Sequence, residues 1–359
     1  MTPSHTTPST GPIRVAVDAM GGDHAPKAVV EGVLLALQRN PDVCVTLVGD
    51  RAAIEPLLRA QGAAESDRLS VVHASQALEM AENPVAGLRA KPDNSISKML
   101  MEVHEGRASA AFSAGNTGGM VAGATLHLAR LKGVKRPGIA VPMPTQNGGI
   151  CLVIDVGANI YCKPIHLVHY AHMASAYAGA VLGIESPRVG ILNIGEEEDK
   201  GTSLVKETAA HLKGSGLNFV GNIEGHAIFK GAVDVVVCEG FVGNIVLKTT
   251  EGLAESIMTI LSGAVKQAAM NDPAAAPALK AVVGGLKSRM DYAAYGGAPL
   301  LGFEGVILIG HGRSSPEAVA NAVRTASEFV HKKVNERIRD AVKSSRVHAG
   351  GAESAPEET

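Results

Sequence analysis

Apolar, β-branched runs in this chain end, one after another, on polar side chains. These are Asp18, Asp50, Asn116, Asp155 with Asn159, Asn193, Asn222, Glu239 and His311. Singly, each type is explained well enough as a helix cap or turn former. Gathered on one sheet edge they would mean more, because open parallel sheets bind ligands beyond the carboxyl ends of their strands.

Glycine-rich turns strengthen that expectation. They are D-A-M-G-G-D-H-A-P (18–26), S-A-G-N-T-G-G (113–119), E-G-F-V-G-N (239–244) and G-H-G-R-S-S-P (310–316). Helices should open after Pro26, at about Thr117, after Asn244 and at Pro316. Glycine lets backbone approach a ligand closely, and a helix start offers unpaired N–H groups with partial positive charge. A phosphate-class anion is the guest such turns suit. The phosphate-binding candidates are therefore Gly21, Gly22, Asp23, Ser113, Gly115, Asn116, Thr117, Asp155, Asn159, Glu239, Gly240, Gly243 and His311. No G-x-x-x-x-G-K-[ST] occurs, no G-x-G-x-x-G follows a strand, and no G-x-S-x-G exists. A P-loop and a hydrolase nucleophile elbow are thereby excluded, and a dinucleotide site is weakened.

Cations lie near these turns. Lys200 and Lys206 follow the 188–195 run, and Lys163 precedes a proline. Lys200 stands behind four acids (196–199), so it is either a surface charge or a site cation. Arg130, Lys132, Lys135 and Arg136 put four positive charges in seven residues without an acid. That run is either a solvated loop or a docking patch for an acidic partner. His166, His169 and His172 have a spacing open to metal ligation, but core histidines explain it better, and no metal is assigned.

The positioning elements follow from the pattern. Strands are expected at 13–20, 43–50, 69–75, 108–116, 138–145, 150–159, 188–195, 217–222, 233–240 and 305–312. They alternate with helical periodicities, which indicates a mainly parallel α/β sheet covered on both faces. From Ile245 to Met290 the rhythm breaks into two amphipathic helices joined by N-D-P-A-A-A-P (271–277). The first carries Leu253, Ile257, Leu261 and Val265 on one stripe, and a dimer interface is its expected cover. A final basic helix holds Lys332, Lys333, Arg337, Arg339, Lys343 and Arg346. Residues 13–346 are expected to form one α/β domain with a helical arm at about 245–290, flanked by disordered tails at 1–12 and 347–359.

Composition removes several function classes. The 359 residues carry 33 Lys and Arg against 35 Asp and Glu, so charge balance points to no polyanion. With 5 Tyr, 6 Phe and no Trp, stacking platforms for single-stranded nucleic acid are not expected. Four cysteines match no zinc spacing and read as reduced thiols of a cytosolic protein. The first residues lack a secretory pattern, and the charge-poor windows 108–129 and 164–184 are too polar for spans.

The motifs coincide with a family. The chain resembles the bacterial phosphate acyltransferases of phospholipid synthesis, the PlsX type, along nearly all of 13–330. The resemblance rests on V-A-V-D-A-M-G-G-D-H-A-P (15–26), S-A-G-N-T-G (113–118), R-P-G-I-A (136–140) and I-D-V-G-A-N (154–159). It continues through I-L-N-I-G-E-E-E-D-K-G (191–201), C-E-G-F-V-G-N-I-V-L-K-T-T-E-G (238–252) and Y-G-G-A-P-L-L-G (295–302). It implies a three-layer αβα, Rossmann-like body akin to phosphate acetyltransferases and isocitrate/isopropylmalate dehydrogenases. The implied protein is a cytoplasmic, peripherally membrane-associated homodimer that uses no cofactor. The implied reaction is reversible acyl transfer from acyl carrier protein to inorganic phosphate, feeding a membrane glycerol-3-phosphate acyltransferase.

Within that resemblance Lys200 and Asn244 are the expected oxyanion stabilisers. Asp18, Asp23 and His24 would order the first turn, with His24 managing a proton. The 130–136 cations or the final helix would meet the carrier protein, and the tip of the helical arm the membrane. Tyr161 stands where the family pattern often has an acid, so no carboxylate role passes to it. The rivals are an acyl-CoA-using phosphate acetyltransferase-like enzyme and a non-catalytic, membrane-recruited scaffold. A dehydrogenase would need metal-binding aspartates that the sequence does not display.

Overall fold

The computed structural model describes residues 12–290 and 296–348. The tails expected at 1–12 and 347–359 therefore fall almost wholly outside the described residues. In chain order the elements begin β1 Ile13–Asp18, α1 Lys27–Arg39, β2 Val43–Gly49, α2 Arg51–Ala60, β3 Leu69–His73, α3 Pro84–Ala90 and α4 Ser95–His104. Next come β4 Ala110–Ser113, α5 Thr117–His127, β5 Gly138–Pro144, β6 Ile150–Ile154, α6 Pro164–Tyr177, β7 Val189–Leu192 and α7 Ser203–Lys213. Then follow β8 Phe219–Ile223, α8 Ala227–Lys230, β9 Val235–Val237, α9 Gly240–Asn271 and α10 Ala276–Met290. The chain closes with β10 Ala298–Leu301, β11 Val306–Ile309, α11 Pro316–His331 and α12 Val334–His348.

These elements form two compact units, one of residues 1–129 with 303–332 and the other of 130–302 with 333–359. In the first, β3-β2-β1-β4-β11 pair in that order, all parallel. Val15, Val17, Leu47 and Phe112 are buried at 0–1 % exposure, as strands covered on both faces require. Helices α1 and α11 pack together at Gly32, where a Cβ would meet the Pro316 carbonyl and Val319. Helices α4 and α5 do the same at Gly123, against Ile96 and Leu100.

In the second unit β10-β5-β6-β9-β7-β8 pair in order. Strand β5 runs antiparallel to β10 and β6, and the rest are parallel. Helix α6 is almost wholly buried, including His166, His169 and His172. The Lys163 N–H donates to His166 Nδ1 and the Lys135 N–H to His169 Nδ1, so these imidazoles brace backbone.

The ten expected strands are present, each shorter at one or both ends. The sequence pattern missed β10, whose A-P-L-L run contains a proline that cannot donate to a ladder. The expected single last helix is two, broken at Lys332–Lys333, where Lys333 adopts a φ of 52°. Helix α9 also starts earlier than expected. Glu239 caps it by accepting from the Phe241 and Val242 amides, which places Gly240, Gly243 and Asn244 inside its first turns.

Candidate functional site

The candidate residues separate into two clusters, one in each unit. In the first unit three glycine turns converge at the carboxyl ends of β1, β4 and β11. Strands β1 and β4 are paired, which sets Asp18 beside Ser113. The Ser113 hydroxyl donates to Asp18 Oδ2 at 2.7 Å, and the Met20 amide donates to Oδ1 at 3.0 Å. The Gly115 amide donates to Ser113 Oγ at 3.0 Å. A Cβ on Gly21 would lie 2.6 Å from Asp18 Oδ2 and 2.7 Å from the Gly115 nitrogen, so only glycine fits. Gly22, at a φ of 108°, turns the chain so that the Asp23 amide donates to the Gly312 carbonyl at 2.7 Å.

Asp18 is fully buried, and burial pushes its carboxyl above the usual carboxylate range, against the hydrogen bonds of Ser95, Ser113 and Met20. Its work is to hold the turn that displays Asp23 and His24, both exposed. Asn116 caps α5 through the Gly119 amide, and its Nδ2 serves the Glu79, Met80 and Glu82 carbonyls. Thr117 follows, exposed, at the helix start. The His311 Nδ1 accepts from the Arg313 amide at 3.1 Å.

In the second unit the Asp155–Asn159 loop leaves β6 and wraps a carboxylate. Asp155 Oδ1 accepts from the Ile139, Gly157 and Ala158 amides, and Oδ2 from the Asn159 amide and carboxamide. Burial nevertheless pushes the Asp155 carboxyl upward. The Asn159 Nδ2 also reaches the Pro137 carbonyl at 2.6 Å and the Tyr170 hydroxyl at 2.8 Å. The start of α9 is pressed on this loop. The Gly240 amide donates to the Asn159 carbonyl at 2.8 Å, and any Cβ on Gly243 would overlap the Asp155 carbonyl oxygen. Asn244 stands exposed beside Gly157.

A third loop, 193–202, leaves β7. Asn193 Nδ2 donates to the Lys200 carbonyl at 3.2 Å, and Asn222 Nδ2 to the Glu197 carbonyl at 2.7 Å. Gly201, at a φ of 89°, packs on the Asn193 carboxamide, and Thr202 caps α7. This scaffold leaves the Lys200 ammonium exposed, with no ion pair among the described residues.

A pocket of about 580 Å³ is lined by residues 160–162, the two ends of the 193–202 loop, the first turn of α7 and the start of α9. Leu167, Ile191 and Leu192 are among its buried walls, and Tyr161 and Ile194 are 87 % and 80 % exposed at its edge. Glu239, Asn193 and Thr202 supply polar groups. Sequence reasoning missed Tyr161, Cys162, Ile194, Leu204, Val205 and Val242 as pocket residues. The available signal was the pair of apolar residues set inside otherwise polar strand-end loops, Ile160-Tyr161 and Ile194.

The 130–136 run is a separate feature of the same unit. Leu131 and Val134 are buried and anchor it, while Arg130, Lys132, Lys135 and Arg136 are exposed and outside any ion pair among the described residues. Among the described residues, no group of His, Cys, Asp and Glu is arranged to hold a metal ion.

Comparison with known proteins agrees with this assembly of motifs. The family described as "Fatty acid synthesis protein" matches residues 13–337. The phosphate acyltransferase of Pelotomaculum thermopropionicum is 44% identical over 342 residues, 94% of this chain and 98% of that protein. Those of Heliobacterium modesticaldum and Bacillus subtilis are 46% and 43% identical, over 92% and 93% of this chain and 98% and 99% of their own. The chain belongs to the phosphate acyltransferase family. As a member of that family it is an enzyme of the acyltransferase class, and its mainly parallel α/β architecture has solved counterparts. A phosphotransacetylase from Streptococcus pyogenes superposes with a TM-score of 0.61 at 15% identity, covering 89% of this chain and 94% of that one. A branched-chain phosphotransacylase from Enterococcus faecalis gives 0.52 at 15% identity, over 89% and 100%. At that identity the likeness concerns the fold, and it agrees with the αβα layering expected from the sequence.

Proposed function

We propose that this phosphate acyltransferase family member transfers a fatty acyl group from acyl carrier protein to inorganic phosphate, reversibly, to give an acyl phosphate. The observation that carries the reading is the apolar pocket bordered by the Lys200 loop and the start of α9. Phosphate is already a nucleophile, so no Ser–His pair is needed. One phosphate oxygen adds to the thioester carbonyl, the tetrahedral oxyanion collapses, and the C–S bond breaks. The departing thiolate takes the proton that phosphate loses.

The protein's part is to orient the reactants and to stabilise the oxyanion. Lys200 supplies a mobile positive charge and Asn244 a carboxamide donor. The packing of the 155–159 loop on the start of α9 fixes where Asn244 stands. The 18–26 turn of the first unit, with Asp23 and His24 exposed, is the candidate phosphate-binding element.

Partners follow from the surfaces. The unpaired cations of 130–136 suit the acidic carrier protein. Leu253, Ile257, Ile260 and Met270 of α9 and Val282 of α10 are exposed apolar groups, which supports burial between two copies and contact with a membrane surface. No described helix is long and apolar enough to cross a membrane. Peripheral attachment would deliver the acyl phosphate to a membrane glycerol-3-phosphate acyltransferase.

The deciding assay incubates the protein with palmitoyl-carrier protein and phosphate and traps acyl phosphate with hydroxylamine, with palmitoyl-CoA in parallel. Phosphate-dependent product from the carrier protein is the expected result. Product from the CoA thioester alone would reassign the donor, and no product from either would leave a scaffold.

A further inference from the structure

We infer that the pocket walled by α7 and the strand-end loops of the second unit holds the acyl chain, and that Leu204 and Val205 set the chain length it accepts. This rests on the proposed acyl transfer and adds the subsite that reads the chain. Three observations support it.

The first is chemistry. The pocket is lined chiefly by apolar side chains such as Ile160, Leu167, Ile191, Leu204 and Val205, and among the described residues no Lys, Arg or His lines it. Its one carboxylate, Glu239, is engaged in capping α9 through the Phe241 and Val242 amides. Such a lining rejects a nucleotide or free phosphate and favours an uncharged hydrocarbon.

The second is size. About 580 Å³ lies inside the range of about 300–1,000 Å³ that small-molecule sites occupy.

The third is position. The wall includes Gly201 and Thr202, directly after Lys200, and Glu239 and Val242, directly before Gly243 and Asn244. A chain lying here keeps its carbonyl end beside the groups assigned to the oxyanion. Leu204 and Val205, half-buried in the first turn of α7, form part of the wall, and the Val205 amide donates to Thr202 Oγ1 at the end of the Lys200 loop.

Binding of n-alkyl phosphates from C8 to C18, measured by titration calorimetry, tests the proposal without requiring turnover. Affinity is expected to rise about fourfold per methylene and then level off once the pocket is full. Val205→Trp should bring that plateau forward by about three methylenes, each near 30 Å³, weakening the longest alkyl phosphates far more than the C8 one. Leu204→Phe is the milder companion variant, and circular dichroism establishes that each is folded.

Affinity that ignores chain length, or a plateau unmoved in both folded variants, would overturn the proposal. Failure of the broader reading looks different. It would appear as no hydroxylamine-trapped product from any thioester, whatever the alkyl phosphates do.

Discussion

The Gly243 α-carbon faces the Asp155 carbonyl oxygen so closely that a single added methyl would occupy the same space. The start of helix α9 therefore lies directly on the loop that wraps the Asp155 carboxylate. Gly243→Ala should force them apart. The expected loss is about 2 kcal/mol or more of stability, read by thermal unfolding, with activity falling in parallel because Asn244 moves with the helix.

Lys200→Ala separates chemistry from stability. The side chain is exposed and unpaired among the described residues, so the unfolding free energy should change by less than about 0.5 kcal/mol. If Lys200 meets the oxyanion, kcat/KM should drop by about 100- to 1,000-fold. A folded Lys200→Ala protein of full activity would remove the residue from the mechanism.

Stability should fall as acid is added through mildly acidic pH. Burial, followed by the charges of Arg136, Lys163, Lys135 and Arg130, holds the His166 imidazole down at about 4. The unfolded chain binds that proton near pH 6.5 and the folded one does not, so stability declines from about pH 6.5 down to about 4 and levels off below. Denaturant titrations across this window should show the decline, and His166→Gln should flatten it. An identical slope in the variant would assign the effect elsewhere.

Lys132→Glu with Lys135→Glu should raise the KM for acyl-carrier protein about tenfold and weaken its dependence on ionic strength. Turnover of a short pantetheine thioester, which has no acidic protein to dock, should stay unchanged. Equal loss with both donors would show that the run supports the fold and not the partner.

How far the sequence could be read depended on the range over which each feature is encoded. Strands such as I-R-V-A-V-D and V-C-V-T-L-V-G are written in consecutive side chains, and the joint at Asn271–Pro277 is written in its prolines. The Asp18–Ser113 hydrogen bond was not legible, because it needs β1 and β4 side by side and the residues are 95 apart. The pocket was hidden for the same reason, being made by 160–167, 191–205 and 238–242 together. At the start of α9 the local signal misled. Two glycines suggested a loop, whereas they are there because Asp155 and Asn159 leave no room for side chains.

Helix α9 has 32 residues, a rod about 48 Å long at about 1.5 Å per residue, yet only Gly240 and Gly243 of it are buried. Helices gain most of their stability from tertiary cover, so this one is unevenly secured along its length. In native-state hydrogen exchange its amides should be slow near Gly243 and progressively faster toward Asn271. Any partner or lipid surface that settles on the far turns should erase that gradient, which makes the exchange profile of a single helix a direct gauge of how much of the protein is engaged.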